Sequence, residues 1–509
     1  MLKLPRLVSH VCIIGLLSGC GSLPEQITHS TLPPVSPMET PLSTLSDRYW
    51  SDKSEPASAV FLQESGWDAL AQRLALVESA QQSIDIQYYI WNSDRSGTYL
   101  ASRLWAAADR GVHVRVMLDD INLNQREPLL IALNSHPNVE IRVFNPIPTR
   151  RGVAKWLNVL GDFSRLNRRM HNKSFTVDGA FSIVGGRNIG DEYFDLSDEI
   201  NFRDRDVLAM GRVVKEVQTG FDVYWDSRWS YPVDLLGDDE DIDLTELEQA
   251  LPPRYLDYPA LPTQAGQAQQ LLDDVIKRME NVKARYVYDQ PVPADESNTS
   301  EPKTTAKYLS QLASESGMQV LLESAYLVFD DRQLDNWQTL NENGVTVKAL
   351  TNSMASNDLV TNHSAYAGRR QDILEHGIEL FELMPEAKVC LESTKDQSKC
   401  APQTAYGLHS KAAVFDQNIA AIGSFNFNLR STYLNSESLL IIDSPVVAQA
   451  LSDDITEAMS AQNSWQLELE DGDVYWHSGE QSFDKEPNTS KWRRFQSSFL
   501  QLLPIEKYL

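Results

Sequence analysis

Two stretches from opposite halves of this 509-residue chain superimpose without a gap. "MHNKSFTVDGAFSIVGGRN", from Met170, and "LHSKAAVFDQNIAAIGSFN", from Leu408, set His171, Lys173, Asp178, Gly185 and Asn188 against His409, Lys411, Asp416, Gly423 and Asn426. One H-x-K-x4-D run carries modest weight. Two in the same register, each with the same Gly-x-x-Asn extension, mark an internal duplication. The register continues through "DRDVLAMGRVV" and "ESLLIIDSPVV", which places Asp204 against Glu437. Strand and helix patterns alternate ahead of both motifs: "SIDIQYYIW", "GTYLASRLWAAADRG" and "VHVRVMLDD" in one half, "MQVLLESAYLVF", "DRQLDNWQTLNENG" and "VTVKALTNS" in the other. That alternation predicts an α/β fold built twice, with a shared active site at a pseudo-twofold interface.

The remaining segments divide around the repeat. Residues 1–19 carry Lys3, Arg6 and the short apolar run "LVSHVCIIGLL", ending in "LSGC" at Cys20. This reads as a bacterial lipoprotein signal with Cys20 as the lipidated residue, or as an ordinary secretory signal with an incidental cysteine. Gly21 rather than aspartate follows, which under the usual sorting rule favours a periplasm-facing outer-membrane location in the cell envelope. Residues 20–55, rich in Ser, Thr and Pro, read as a flexible tether. Lobe 1 is expected over 56–234, an acidic and proline-bearing connector over 235–305, lobe 2 over 306–462, and a C-terminal extension over 463–509. Cys390 and Cys400 form a disulfide if the chain is exported and stay free thiols if it is not.

The motif chemistry is more specific. His171 and Lys173 lie two apart on one face of a strand, as do His409 and Lys411, and positive groups sharing a face imply an anion between them. The anion that fits two histidines, two lysines and the amides of Asn188 and Asn426 is a phosphate. Lysines and amides, with Ser424, can hold its non-bridging oxygens and stabilise a five-coordinate phosphorus. One neutral imidazole can attack phosphorus, giving a phosphohistidine. The other, protonated, serves the leaving alcohol and then deprotonates incoming water or alcohol. With an unperturbed pKa of about 6.5, one ring of each form is attainable together. Asp204 and Glu437 are candidates to orient the rings. Asp178 and Asp416 either join the catalytic set or cap the turn between two strands. A paired ammonium argues against metal ligation, and neither a metal nor a cofactor is expected. Among the other histidines, His113, His136 and His477 have no partner set, while His363 follows a strand end where substrate loops gather.

These residues resemble the phospholipase D superfamily from about Ala57 to Met459. "DFSRLNRRMHNKSFTVDG", "VGGRNIGDEYF" and "GSFNFNLRSTYLNSE" are similar to bacterial cardiolipin synthases of the C type. The resemblance implies phospholipase D-like lobes and a phosphatidyl group moved between alcohols without metal, with His171 as nucleophile and His409 as acid and base. The first repeat departs from the pattern, since Gly186 stands where Ser424 does and Asp204 replaces a glutamate. The half-sites are therefore unequal. The alternatives are a hydrolase of the same mechanism releasing phosphatidic acid, a nuclease, or a non-catalytic phospholipid-binding lipoprotein. A formal net charge of −26 argues against general nucleic-acid binding. No obligate protein partner is evident, and phospholipids at a membrane surface are the expected partners. Two features bear on that surface. Arg150, Arg151, Lys155, Arg165, Arg168 and Arg169 cluster before the first motif, as a headgroup-attracting patch or as a solvated face. Near the C-terminus, Trp492, Phe495, Phe499 and Leu502 fall at helical spacing beside Lys491, Arg493 and Arg494. That helix either lies in a membrane interface or docks on its own domain.

Overall fold

The computed structural model describes residues 38–50, 57–123, 127–147, 163–235, 264–291 and 301–501, with isolated positions 32, 245 and 262. The leader, Cys20, Arg150, Arg151, Lys155 and Leu502 lie outside the described residues. The first lobe holds β1 (Ser58–Gln63), β2 (Ser83–Tyr88), β3 (His113–Asp119), β4 (Val139–Phe144), β5 (Ser174–Val177), β6 (Phe181–Gly185), β7 (Ile200–Arg203), β8 (Asp206–Gly211) and β9 (Ser230–Pro232). Leaving β7 aside, these pair in the order β9-β4-β3-β2-β5-β6-β8-β1. The second lobe holds β10 (Glu280–Tyr288), β11 (Gln319–Ser324), β12 (Thr346–Asn352), β13 (Glu379–Leu383), β14 (Ala405–Leu408), β15 (Lys411–Phe415), β16 (Ile419–Gly423), β17 (Ser438–Asp443) and β18 (Ser464–Glu470), followed by β19 (Asp473–Ser478) and β20 (Gln481–Phe483).

The duplication extends to strand register. In lobe 1, β2 lies antiparallel to β5 with Gln87 opposite Ser174, and in lobe 2, β11 meets β15 with Glu323 opposite Ala412. Gly185 pairs with Asp206 and Gly423 with Leu439, so Asp204 and Glu437 each precede an equivalent ladder position by two residues. The inner strands β2–β4 and β11–β13 are parallel, as βαβ connections require. β2 (SIDIQY) and β4 (VEIRVF) alternate apolar with polar residues, and with both faces covered the polar positions Asp85, Gln87, Glu140 and Arg142 are buried as well.

One strand joins the copies. Residues 280–282 of β10 pair with β1, and residues 283–288 pair with β17, which fuses the two sheets into one of 18 strands. An apolar layer with Val184, Val207 and Ala209 from one lobe and Ala420, Ile422, Leu440 and Ile442 from the other fills the space between them. A core shared in this way holds the lobes in one relative position.

Four expectations change here. β10 occupies in lobe 2 the place of β1, and the helix Thr304–Ser314 follows it as Gly66–Ser79 follows β1. Lobe 2 therefore begins near residue 280, inside the stretch read as connector, because the apolar residues of "ENVKARYVY" hide between charges. It also runs past residue 462, since β18 pairs with β13 as β9 pairs with β4. The tether is ordered at its end: the helix Pro41–Trp50 buries Leu42 and Leu45 in the first-lobe core, apolar positions three apart within a Ser/Thr-rich run. Arg165, Arg168 and Arg169 form neither a patch nor a solvated face, for all three are buried. Arg169 pairs with Asp119 at 3.2 Å and donates to Asn145 O at 2.8 Å, bracing the chain just ahead of His171.

Cys390 and Cys400 are disulfide-bonded, with a Cα–Cα distance of 5.9 Å. Among the described residues no helix is long and apolar enough to cross a membrane.

Candidate active site

The site is assembled by two short parallel pairings that cross between the lobes. β7 runs beside β14, Arg203 opposite Leu408, and each strand ends one residue before a motif group: Asp204 on one, His409 on the other. A single bridge, Met170 to Ser436, does the same for His171 and Glu437. Backbone hydrogen bonds lock both junctions, from His409 N to Arg203 O and from His171 N to Ser436 O, each 2.8 Å. Each histidine therefore meets the acid of the opposite lobe.

The contacts are short. His171 Nδ1 lies 2.7 Å from Glu437 Oε2 and 2.9 Å from Ser424 O. His409 Nδ1 lies 2.5 Å from Asp204 Oδ2. Because Nδ1 of His171 faces two acceptors it carries the proton, which leaves Nε2 with its lone pair free. Tyr89 packs edge-on against His171 at 4.8 Å between centroids, and Tyr193 against His409 at 5.0 Å. Lys173 Nζ donates to His171 O at 2.7 Å, Lys411 Nζ donates to His409 O, and both lysines are buried. Asn188 accepts from Ile90 N at 3.2 Å. Its buried Nδ2 and the buried Oδ1 of Asn426 have no hydrogen-bond partner among the described residues.

Burial dominates the electrostatics. It pushes His171 down to about 4 and His409 down to about 3, against the pull of Glu437 and Asp204. Both rings are thus neutral near pH 7 in the free protein, where an unperturbed histidine would have left one ring partly charged. Burial also lowers Lys173 to about 7, with Lys411 adding to the effect, and Lys411 to about 8, each opposed by the two acids. Burial works to raise Asp204 and Glu437, but contact with His409 and His171 respectively, backed by the lysines, holds both carboxylates below their ordinary range.

The half-sites differ around the acids. Glu437 accepts from Ser424 Oγ at 2.6 Å and Ser431 Oγ at 2.7 Å, and its amide donates to buried Asp289 at 2.9 Å. Asp204 accepts from Arg205 N at 2.8 Å, and the space beside it belongs to Gly186, where a Cβ would come within 2.2 Å of Asp204 Oδ1. The shorter acid and the missing side chain go together. Gly186→Ser is expected to push Asp204 off His409, read as loss of the downfield Nδ1 proton resonance of His409 while that of His171 persists.

Asp178 and Asp416 stand apart from this cluster. Asp178 accepts from the backbone of Gln82 and Ser83 at 2.8 and 3.0 Å, and Asp416 from Gly317, Met318 and Gln319 at 2.8, 2.8 and 2.9 Å. At φ of 51° and 50° they fasten the strand turn to the start of β2 or β11, at the opposite strand end from the histidines. Their place is the turn cap and not the catalytic set. His363 is buried against Glu486 at 2.8 Å beside Arg370, tying down the C-terminal extension.

Several participants escaped the sequence reading. Glu323 accepts from Arg203, Arg205 and Ser410, bracing both chains that carry Asp204 and His409. An acid inside the apolar run "VLLES" was the available signal. Asp289 lies within residues 235–305, where a connector is expected, and no sequence pattern marks Tyr89 or Tyr193.

The description "Cardiolipin synthase, PLD-like domain" matches this chain twice, at residues 74–225 and 309–459. Cardiolipin synthase C of Escherichia coli K12 is 36% identical over 460 residues, covering 88% of this chain and 95% of that protein. An uncharacterised protein of Helicobacter pylori is 30% identical over 96% of this chain and 97% of its own. In fold, the crystal structure of phosphatidylserine synthase from Haemophilus influenzae superposes with a TM-score of 0.58 over 91% of this chain and 100% of that one, at 13% identity. With both copies of the domain matched and the relatives covered nearly end to end, this chain belongs to the phospholipase D-like cardiolipin synthase family and is an enzyme of the phospholipase D superfamily.

Proposed function

We propose that this enzyme is a cardiolipin synthase that transfers a phosphatidyl group from one phospholipid to the hydroxyl of another through a phosphohistidine, on a bilayer to which it is tethered by Cys20. The crossed pairing of the two histidines with Glu437 and Asp204 carries this reading. With both acids ionised and both lysines protonated the four charges cancel, and the rings are neutral. A bound phosphodiester brings one extra negative charge, which one ring can balance by taking up a proton. The site then holds a neutral nucleophile and a protonated acid at once.

In the first half-reaction, Nε2 of His171 forms the N–P bond and the P–O bond to the leaving alcohol breaks. His409 passes its proton to the departing oxygen. In the second, His409 removes the proton from the acceptor hydroxyl, that oxygen bonds to phosphorus, and the N–P bond to His171 breaks. In this reading Lys173, Lys411 and the side-chain N–H groups of Asn188 and Asn426 hold the non-bridging oxygens throughout.

The product assay is direct. Labelled phosphatidylglycerol in mixed vesicles, with and without phosphatidylethanolamine, should yield cardiolipin. Phosphatidic acid alone would make the enzyme a hydrolase, and absence of any lipid product would overturn a phospholipid substrate.

The lysines set the pH dependence. Their lowered pKa values mean that charge is present below about 7 for Lys173 and about 8 for Lys411, and is lost as pH rises through those values. Because the reactive complex also holds one proton more than the free enzyme, kcat/KM should decline with rising pH above about 5 and more steeply above about 7, where the lysines lose their charge. An acidic limb centred near 6.5 would show that the rings are not depressed.

A further inference from the structure

The C-terminal helix Lys491–Leu500 sits on the second lobe with its amphipathicity reversed. A surface helix ordinarily turns its apolar stripe to the core. Here Trp492, Phe495 and Phe499, spaced to share one face, are 65%, 60% and 57% exposed. Arg493, Arg494, Ser497 and Leu500 are the more covered positions. Polar bonds hold the helix in place. Arg493 Nη2 donates to Asn357 O at 2.7 Å, Arg494 Nη1 donates to Thr489 O at 2.9 Å, and Ser490 Oγ caps the first turn. Trp492 and Phe495 are stacked on each other at 5.6 Å between centroids, so the outward face is a preformed aromatic surface.

Charge and position narrow what covers it. In a chain of net charge −26, residues 491–501 carry Lys491, Arg493 and Arg494 and no acid. The backbone that receives Arg493 leads directly into Asp358, which is bonded to Tyr326 at 2.9 Å and lies within electrostatic reach of Lys411. Leu359, which follows Asp358 in that loop, is an exposed apolar side chain as well.

We propose that this helix seats the enzyme on an anionic phospholipid bilayer. The three aromatics enter the boundary between headgroups and acyl chains, the exposed Lys491 lies against headgroup phosphates while Arg493 and Arg494 lend their charge from the anchored face, and the loop beside Lys411 is brought to the lipid surface. This inference rests on the phospholipid-substrate reading above and adds the surface by which substrate is reached.

The test uses the full chain with vesicles of phosphatidylcholine and phosphatidylglycerol carrying brominated acyl chains. The fluorescence difference between wild type and Trp492→Phe isolates Trp492 among the 11 tryptophans, and bromine should quench it. The triple variant Trp492→Ser/Phe495→Ser/Phe499→Ser should lose activity on vesicles by on the order of 100-fold, since three apolar contacts with the bilayer are removed. Its activity on monomeric short-chain phosphatidylglycerol should be unchanged. Trp492 left unquenched, or equal vesicle activity in the variant, overturns the proposal. So does a blue-shifted Trp492 without vesicles, which would mean that residues 502–509 or another protein covers this face. Activity on neither substrate, with quenching intact, would instead count against the enzymatic reading and leave the membrane contact standing.

Discussion

His171→Ala and His409→Ala are each expected to lower phosphatidyl transfer by at least about 10⁴-fold, with lipid binding largely retained. Neither ring has a substitute: the two Nδ1 positions are committed to carboxylates from opposite lobes, so one histidine cannot swing over to serve both roles. The double variant should be little worse than either single one, because a nucleophile without its acid and an acid without its nucleophile fail at the same step. Steady-state transfer on labelled vesicles measures this. Retention of more than a few per cent of activity in either variant would mean that the other histidine suffices. Because both side chains are buried in polar surroundings, folding of each variant is checked by its thermal transition.

The second large effect is expected at the positioning acids. Glu437→Gln should lower kcat by about 10²–10⁴-fold with KM nearly unchanged, because the carboxylate acts on the ring and not on substrate. An amide at 437 keeps the size but removes the charge that, in the proposed mechanism, stabilises His171 as it accepts phosphorus. It also offers an N–H where Nδ1 needs an acceptor. The crossing makes the prediction specific: Glu437→Gln should add no further loss in a His171→Ala background yet should still do so beside His409→Ala wherever residual activity permits, and Asp204→Asn should show the reverse. If each acid instead coupled to the histidine of its own lobe, the crossed geometry would be wrong.

How far the sequence anticipates this arrangement depends on the kind of information involved. The duplicated motif is a local pattern, and it carries strand register with it, since His171 and Lys173 on one side and Asp178 on the other bracket a strand of set length. The crossing of the acids is different. Alignment makes Asp204 and Glu437 equivalent, but equivalence under a twofold axis does not say which ring each one meets. That follows from β7 running beside β14 and from the Met170–Ser436 bridge, pairings between distant segments that leave no periodic trace.

The depression of the histidines was hidden for a related reason. Two charged residues beside each ring suggest a polar site, whereas burial of the whole cluster decides the direction. Composition misled at the edges of the fold. Leu42 and Leu45 were masked by Ser and Thr, and β10 by the charges along it. The arginines before the first motif looked like surface because charge usually is, yet Arg169 serves Asp119 in the interior.

The central claim is that one histidine carries the phosphatidyl group while its partner moves protons. The most direct test is to mix His409→Ala enzyme with labelled phosphatidylglycerol, quench at neutral to alkaline pH to preserve the N–P bond, and map the adduct by peptide mass spectrometry. A phosphatidyl group is expected on His171, formed slowly over a long incubation because the alcohol departs without its acid, and persisting because the enzyme also lacks the base that would activate the acceptor. An adduct on His409 in the His171→Ala enzyme, or product formed with no adduct on either histidine, would contradict it.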